Sequence, residues 1–209
     1  ITADNPAPGD KGRADLFASL PVIDQATTQR LHATLVARAE AGELVDVAYR
    51  TVDSPVGQLL LAATGQGLVR VAYAREGHQA ILAMLAEKIS PRILAAPGRL
   101  DPAAREIDEY FAGTRTRFDL PLDYRLAGGF RRRVLDRLPD IAYGATASYA
   151  TVARLAGNPR AVRAVGTACA TNPLPIVVPC HRVVRADGSP GGYAGGTAAK
   201  CALLALESP

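Results

Sequence analysis

Cys180 and His181 stand side by side in the run PLPIVVPCHRVV, residues 173–184. A thiol next to an imidazole can pack, bind a metal or attack an electrophile. Metal and redox cysteines usually have a second cysteine a few residues away, and the chain has neither Cys-x-x-Cys nor Cys-x-x-Cys-His. A thiol attacks only as thiolate, so with an ordinary pKa of about 8.5 it needs a base or a positive field. His181 is such a base, although side chains adjacent in sequence often diverge and then need a bridging water. From the residues alone Cys180 is either a nucleophile or an inert buried thiol. Cys169 and Cys201 have no histidine beside them and are expected to be small core hydrophobes.

Any such chemistry depends on the elements that hold the pair. Pro173, Pro175 and Pro179 forbid a helix, which predicts a rigid, extended segment delivering Cys180 to a fixed place. Upstream, SYATVARLAGNPRAVRAVGTACATNP predicts a helix over 151–156 ended by Gly157, then a second with Asn158 as N-cap and Pro159 at its first position. Two helices joined so tightly resemble a helix-turn-helix. The second is thin: Ala161, Ala164, Gly166 and Ala168 leave Arg160 and Arg163 as its main long side chains. It suits close approach to a neighbouring helix or to a narrow minor groove. In FRRRVLDRL, Phe130, Val134 and Leu138 share a face while Arg131, Arg132 and Arg133 point away, as a solvated face or as phosphate contacts.

Residues 45–73 read as three strands joined by turns, one of them at Gly65-Gln66-Gly67. HQAILAMLAEKI follows as a helix with Ile81, Leu85 and Ile89 on one face, and Asp101-Pro102 opens another with Asp101 as N-cap. RFDLPLDY is a short strand or extended linker. Nothing in this half looks catalytic. The expected class is α/β (α+β): a small N-terminal α/β domain with a short antiparallel-rich sheet, then a mostly helical domain carrying the helix-turn-helix and Cys180. The expected boundaries are an arm and extra helix over 1–44 (the arm to about residue 24, the helix over Gln25–Ala41 with Leu31, Leu35 and Ala39 on one face), the α/β domain over 45–124 and the C-terminal domain over 125–209.

The chain has 209 residues, enough for a sizeable core, and a mildly basic formal charge of +4. No apolar run approaches membrane-spanning length, and the first residues lack a secretory pattern. An odd, widely spaced set of three cysteines fits reduced thiols in a cytoplasmic setting. There is no glycine-rich phosphate loop, nucleotide motif or metal-ligand cluster, so neither cofactor nor metal is expected.

IVVPCHRVV, followed by GGYAGG, Lys200, Leu203-Leu204 and Glu207, resembles the O6-alkylguanine-DNA alkyltransferases. The likeness runs upstream to Phe130 and, more loosely, back to about residue 45. It implies that Cys180 accepts an alkyl group from O6 of guanine and keeps it as a thioether, once per molecule. His181 then matches the base that draws the thiol proton through a water, and Glu207 the carboxylate that orients it. Asn172 matches the residue bracing the turn before the acceptor.

Because a stacked base cannot reach such a cysteine, the resemblance also implies a flipped nucleotide. The partner is duplex DNA carrying O6-alkylguanine, bound through its minor groove by a monomer. Arg163 matches the finger filling the vacated space on the helix of Arg160, Ala161 and Ala164. Tyr149 matches the hydroxyl that bonds guanine N3. The carbonyls of Cys180 and Val183 would receive the exocyclic amine, Tyr193 would wall the pocket, and the Ala194 amide would point at O6. Position 194 often carries serine, so Ala194 forgoes one neutral hydrogen bond of ~1 kcal/mol. Val162 and Thr167 are bulkier than the family's usual groove residues. Pro175, Gly191 and Gly195 are compact and leave room for larger adducts. The alternative from a binding class is a sensor that grips alkylated DNA without repairing it.

Overall fold

Leu59–Thr64 is apolar without alternation, and a strand apolar on both faces must be covered on both. The computed structural model, which describes residues 24–208, shows how. Four strands, β1 (Val47–Val52), β2 (Leu59–Thr64), β3 (Gly67–Tyr73) and β4 (Ile93–Ala95), form one sheet in the order β3-β2-β1-β4. The β1–β2 and β2–β3 pairs are antiparallel, and β4 runs parallel to β1. Every residue of β2 is buried. Leu59, Leu61 and Ala63 face one core while Leu60 and Ala62 face the other. A bulge beside Ala62 and Ala63 turns Leu68 and Val71 toward the same core.

The smaller core is closed by α2 (His78–Lys88), through Ile81 and Leu85, with Ile89 packed beside them. The larger is closed by α3 (Asp101–Phe111), which buries Ala103, Ala104, Ile107 and Tyr110. A 3-10 turn, Pro97–Leu100, runs straight into α3, so Leu100 and not Asp101 takes the N-cap place. Asp101 instead pairs with Arg50 at 2.6 Å. Residues 117–124 are an extended linker, tied to the sheet where Leu122 bridges Leu68.

The helical half begins with α4 (Gly129–Leu135), whose buried residues are Val134 and Leu135. Leu138 is buried too, but in the 3-10 turn after it. The arginines of this segment are only partly a solvated face. Arg131 donates to the Leu126 carbonyl, and Arg132 lies 3.5 Å from the centre of the Tyr124 ring. A two-residue parallel pair, β5 (Ala147–Ser148) with β6 (Val183–Val184), ties the first helix of the helix-turn-helix to the strand after Cys180. The helices themselves are α5 (Tyr149–Leu155), α6 (Val162–Ala170) and α7 (Gly196–Leu206). The larger core takes residues from Leu59 to Leu203, and residues 42–208 belong to one compact unit.

The predicted helix at Gln25–Ala41, α1, is present, in the separate unit ending at Ala41. The arm expected over 1–24 lies, except for Asp24, outside the described residues. Among the described residues no helix is long and apolar enough to cross a membrane.

The β2–β3 turn depends on one glycine. Gly67 has φ +138°, and a Cβ there would run into the Pro121 carbonyl that accepts the Leu68 N–H at 2.8 Å. Gly67→Ala should therefore cost at least ~2 kcal/mol in urea unfolding. Gly65→Ala, whose Cβ would meet open space, should change the midpoint far less.

Candidate active site

The prolines before Cys180 exclude a helix, but they do not enforce an extended chain. Residues 174–178 fold into a tight turn closed by Val178 N–H donating to Leu174 O at 2.8 Å, with Ile176 at φ +74°. Cys180–Arg182 is a short 3-10 turn, and extended backbone resumes only at Val183. The expected rigid delivery segment is thus a compact loop, and every residue from 172 to 184 is buried.

Asn172 clips this loop together. Its Oδ1 accepts from Leu174 N–H at 2.9 Å, and its Nδ2 donates to Val178 O at 2.9 Å and to Cys180 Sγ at 3.1 Å. The sheet holds Asn172 in turn. Val71 N–H donates to Pro173 O at 2.8 Å, Arg70 donates to Asn172 O at 3.3 Å, and Glu76 pairs with Arg70.

Burial pushes the Cys180 thiol up to about 11, against the Asn172 hydrogen bond and the positive charge of Lys200. The side chain of His181 leads away from it, to Glu207. His181 Nε2 and Glu207 Oε1 are 2.8 Å apart, and both residues are buried. Burial holds the imidazole below its ordinary value. Burial also works to raise the Glu207 carboxyl, but hydrogen bonds from His181 and Arg182, with Tyr110 adding another, hold it at about 2. Arg182 gives Nε to Oε2 at 2.7 Å and Nη2 to Oε1 at 2.9 Å, and Tyr110 gives its hydroxyl to Oε1 at 2.7 Å. An ionised carboxylate only accepts, so Nε2 must carry the imidazole proton. The lone pair then sits on Nδ1, which is buried and finds no protein partner.

The other predicted residues gather around this centre. Tyr149 opens α5 behind its N-cap Ser148, and its hydroxyl lies where a Cβ on Gly191 would be. Lys200 is fully buried, bonds Val183 O at 2.5 Å and lies 6.0 Å from the centre of the Tyr149 ring. Tyr193 is buried, with its hydroxyl 2.9 Å from that of Tyr73. A Cβ at Gly195 would come within 2.6 Å of the Tyr73 ring. Gly191 and Gly195 are therefore small because tyrosines lie on them. Pro175 is buried in the turn, and Ala194 is half-buried beside Tyr193.

Arg163, Ala164 and Thr167 are exposed on the outer face of α6. This helix starts later than expected. Asn158 and Pro159 form a turn, in which Ala161 N–H donates to Asn158 O at 3.0 Å. Ala161 takes the N-cap place, and Arg160 stands in the turn, exposed. Ala168 and Cys169 face the core. Cys201 is exposed and not a core residue, because α7 docks through Ala199, Lys200 and Leu203. A separate cleft, lined by Asp46, Thr64, Gln66 and Arg92 among others, shares no residue with this centre. Asp46 there pairs with Arg92 at 2.5 Å.

Comparison with known proteins identifies the family. Residues 47–124 match the ribonuclease-like domain, and residues 129–209 the DNA-binding domain, of 6-O-methylguanine DNA methyltransferase. The chain belongs to that family. The methylated-DNA–protein-cysteine methyltransferase of Mycobacterium tuberculosis is 43% identical over 162 residues, 76% of this chain and 91% of that protein. The crystal structure of M. tuberculosis O6-methylguanine methyltransferase superposes with a TM-score of 0.68 at 41% identity, covering 77% of this chain and 92% of that one. M. tuberculosis OGT in complex with DNA gives 0.66 at 41% identity, over 78% and 95%.

The structure pairs Asn172 with Cys180 and His181 with Glu207, four residues named from the sequence, Glu207 among them only through the family resemblance, and surrounds them with side chains the sequence did not single out. Arg182 was visible as the residue after His181, and Lys200 as part of the C-terminal motif. Neither signalled that it would be buried. Tyr73, Arg70 and Tyr110 come from the half that looked non-catalytic, and nothing local marks them.

Glu207→Gln would leave the Arg182 cation buried without its counter-charge. It should cost ~3–5 kcal/mol at neutral pH by urea unfolding. The carboxylate's folded pKa is depressed, so its contribution is full above the ordinary 4.5 and is lost as pH falls toward about 2. The stability gap between wild type and variant should close over that range.

Proposed function

We propose that Cys180 removes an alkyl group from O6 of guanine in duplex DNA, in a single irreversible transfer. A thiolate formed in advance is too costly here. With a thiol near 11, ionisation at neutral pH requires roughly 5 kcal/mol before any chemistry. Attack coupled to proton removal avoids that cost. The thiol proton passes through a bridging water to His181 Nδ1 while Sγ bonds the alkyl carbon. The carbon–O6 bond breaks, and its electron pair goes to the guanine ring. Glu207 stabilises the imidazolium, following the logic of a Ser-His-Asp triad. The Tyr149 hydroxyl bonds N3 of the leaving guanine, and the Ala194 amide is aimed at O6. The product is a thioether with no low-energy hydrolysis route, so each molecule acts once.

In this reading residues 125–209 carry DNA contact and the acceptor, and residues 45–124 brace them. The exposed face of α6 enters the minor groove as a monomer, and Arg163 fills the space of the extruded base. The reduced acceptor thiol suits the cytoplasm. The observation that carries the reading is the buried constellation of Asn172–Cys180 beside His181–Glu207, in a chain whose family is established.

After incubation with a duplex containing labelled O6-methylguanine, intact mass should rise by one methyl group, on the peptide holding Cys180. Cys180→Ser should abolish transfer, and label on Cys169 would overturn the assignment. Arg163→Ala should slow repair of duplex about tenfold or more, since unstacking costs a few kcal/mol, while reaction with free O6-benzylguanine stays unchanged. Equal slowing on both substrates would remove Arg163 from the flipping role.

A further inference from the structure

Tyr110 lies on α3, outside the segment that holds Cys180, and is fully buried. Its ring packs against Phe111, Phe118 and Tyr143 at centroid distances of 5.3, 5.4 and 6.3 Å. Phenylalanine would fill the same volume, so the hydroxyl is what this residue adds. A buried phenol needs a partner, and here the partner is Glu207 Oε1 at 2.7 Å. The same hydroxyl lies 3.5 Å from His181 Nε2.

Oε1 is thus shared by Tyr110, the imidazole and Arg182 Nη2. The phenolic proton brings positive charge to the oxygen on which the imidazole also depends. It withdraws some of the negative charge that would stabilise an imidazolium. The groups facing His181 are Glu207, the cations of Arg182 and Lys200, and the Tyr193 ring at 6.4 Å, with the Cys180 thiol next in the chain. Tyr143, edge-on to the Tyr110 ring, donates to Leu206 O at 3.1 Å instead. It therefore offers a neighbouring, half-buried hydroxyl with no hydrogen bond to the carboxylate.

We propose that Tyr110 is a positioning residue that, through Glu207, keeps His181 neutral and ready to take the thiol proton. Its consequence for rate rests on the alkyl-transfer reading; its effect on the imidazole does not. A base that is already protonated cannot accept a proton, so the hydroxyl preserves the working form of His181 at mildly acid pH.

The test is an NMR titration of the His181 ring in the full chain, assigned with His181→Gln. Tyr110→Phe should raise the titration midpoint by about half a pH unit or more, and Tyr143→Phe should leave it in place. Site-specific 3-fluorotyrosine at position 110, a stronger donor of the same shape, should lower it, which keeps the test valid if Tyr110→Phe does not fold. The acid limb of the pH–rate profile for methyl transfer to Cys180 should move with each midpoint. Unmoved midpoints in folded position-110 variants, or an equal shift in Tyr143→Phe, would overturn the proposal. Wild-type protein that transfers no methyl at any pH would sink the functional reading alone, because the titration would still decide the role of Tyr110.

Discussion

A buried negative charge organises this molecule. Glu207 sits at the C-terminal end of α7, where the helix dipole disfavours a carboxylate. Burial disfavours it as well, and yet the group stays ionised. Three side chains from two parts of the chain converge on it: Arg182 with two donors and its neighbour His181, and Tyr110 from α3. Each donor is itself buried, so removing the charge would strand them all. The carboxylate therefore joins α7, the Cys180 loop and α3, and it fixes the tautomer of His181.

The thiol presents the opposite case. Burial outweighs the Asn172 hydrogen bond and the Lys200 charge and keeps it protonated. Asn172 holds the sulfur and the loop carbonyl with one amide group, so the acceptor is placed without being activated. A thiolate held ready would be open to oxidation and to stray electrophiles. In the proposed reaction a protonated thiol, with His181 neutral, stays inert until an electrophile is in place, which suits a group that is used once.

The sheet is part of this arrangement. Its outer strand β3 gives its main chain to Pro173, Arg70 to Asn172 and Tyr73 to Tyr193. The two matched family segments therefore share one core and also the wall of the site. The half without a nucleophile determines where the nucleophile stands.

Local signals determined much of this in advance. Apolar runs bounded by turn residues and the four-residue spacing of helix faces depend only on neighbouring residues, so the strands, α2 and the helix pair were legible. So was the Cys180-His181 motif, with Asn172 and the Tyr-Ala-Gly-Gly run around it. Boundaries were less legible, because Leu100 and Ala161 take cap places for reasons of tertiary fit and not of side-chain type. The prolines before Cys180 excluded a helix but could not choose between an extended chain and a turn, since both accept proline's φ. Only the tertiary structure made that choice, through the Asn172 clip. It alone buried Lys200 and exposed Cys201, because the docking face of α7 decides which side chains meet water. It alone brought Tyr110 to Glu207, ninety-seven residues apart along the chain. Charge, burial and proton affinity depend on distance in space, and the order of residues does not contain that distance.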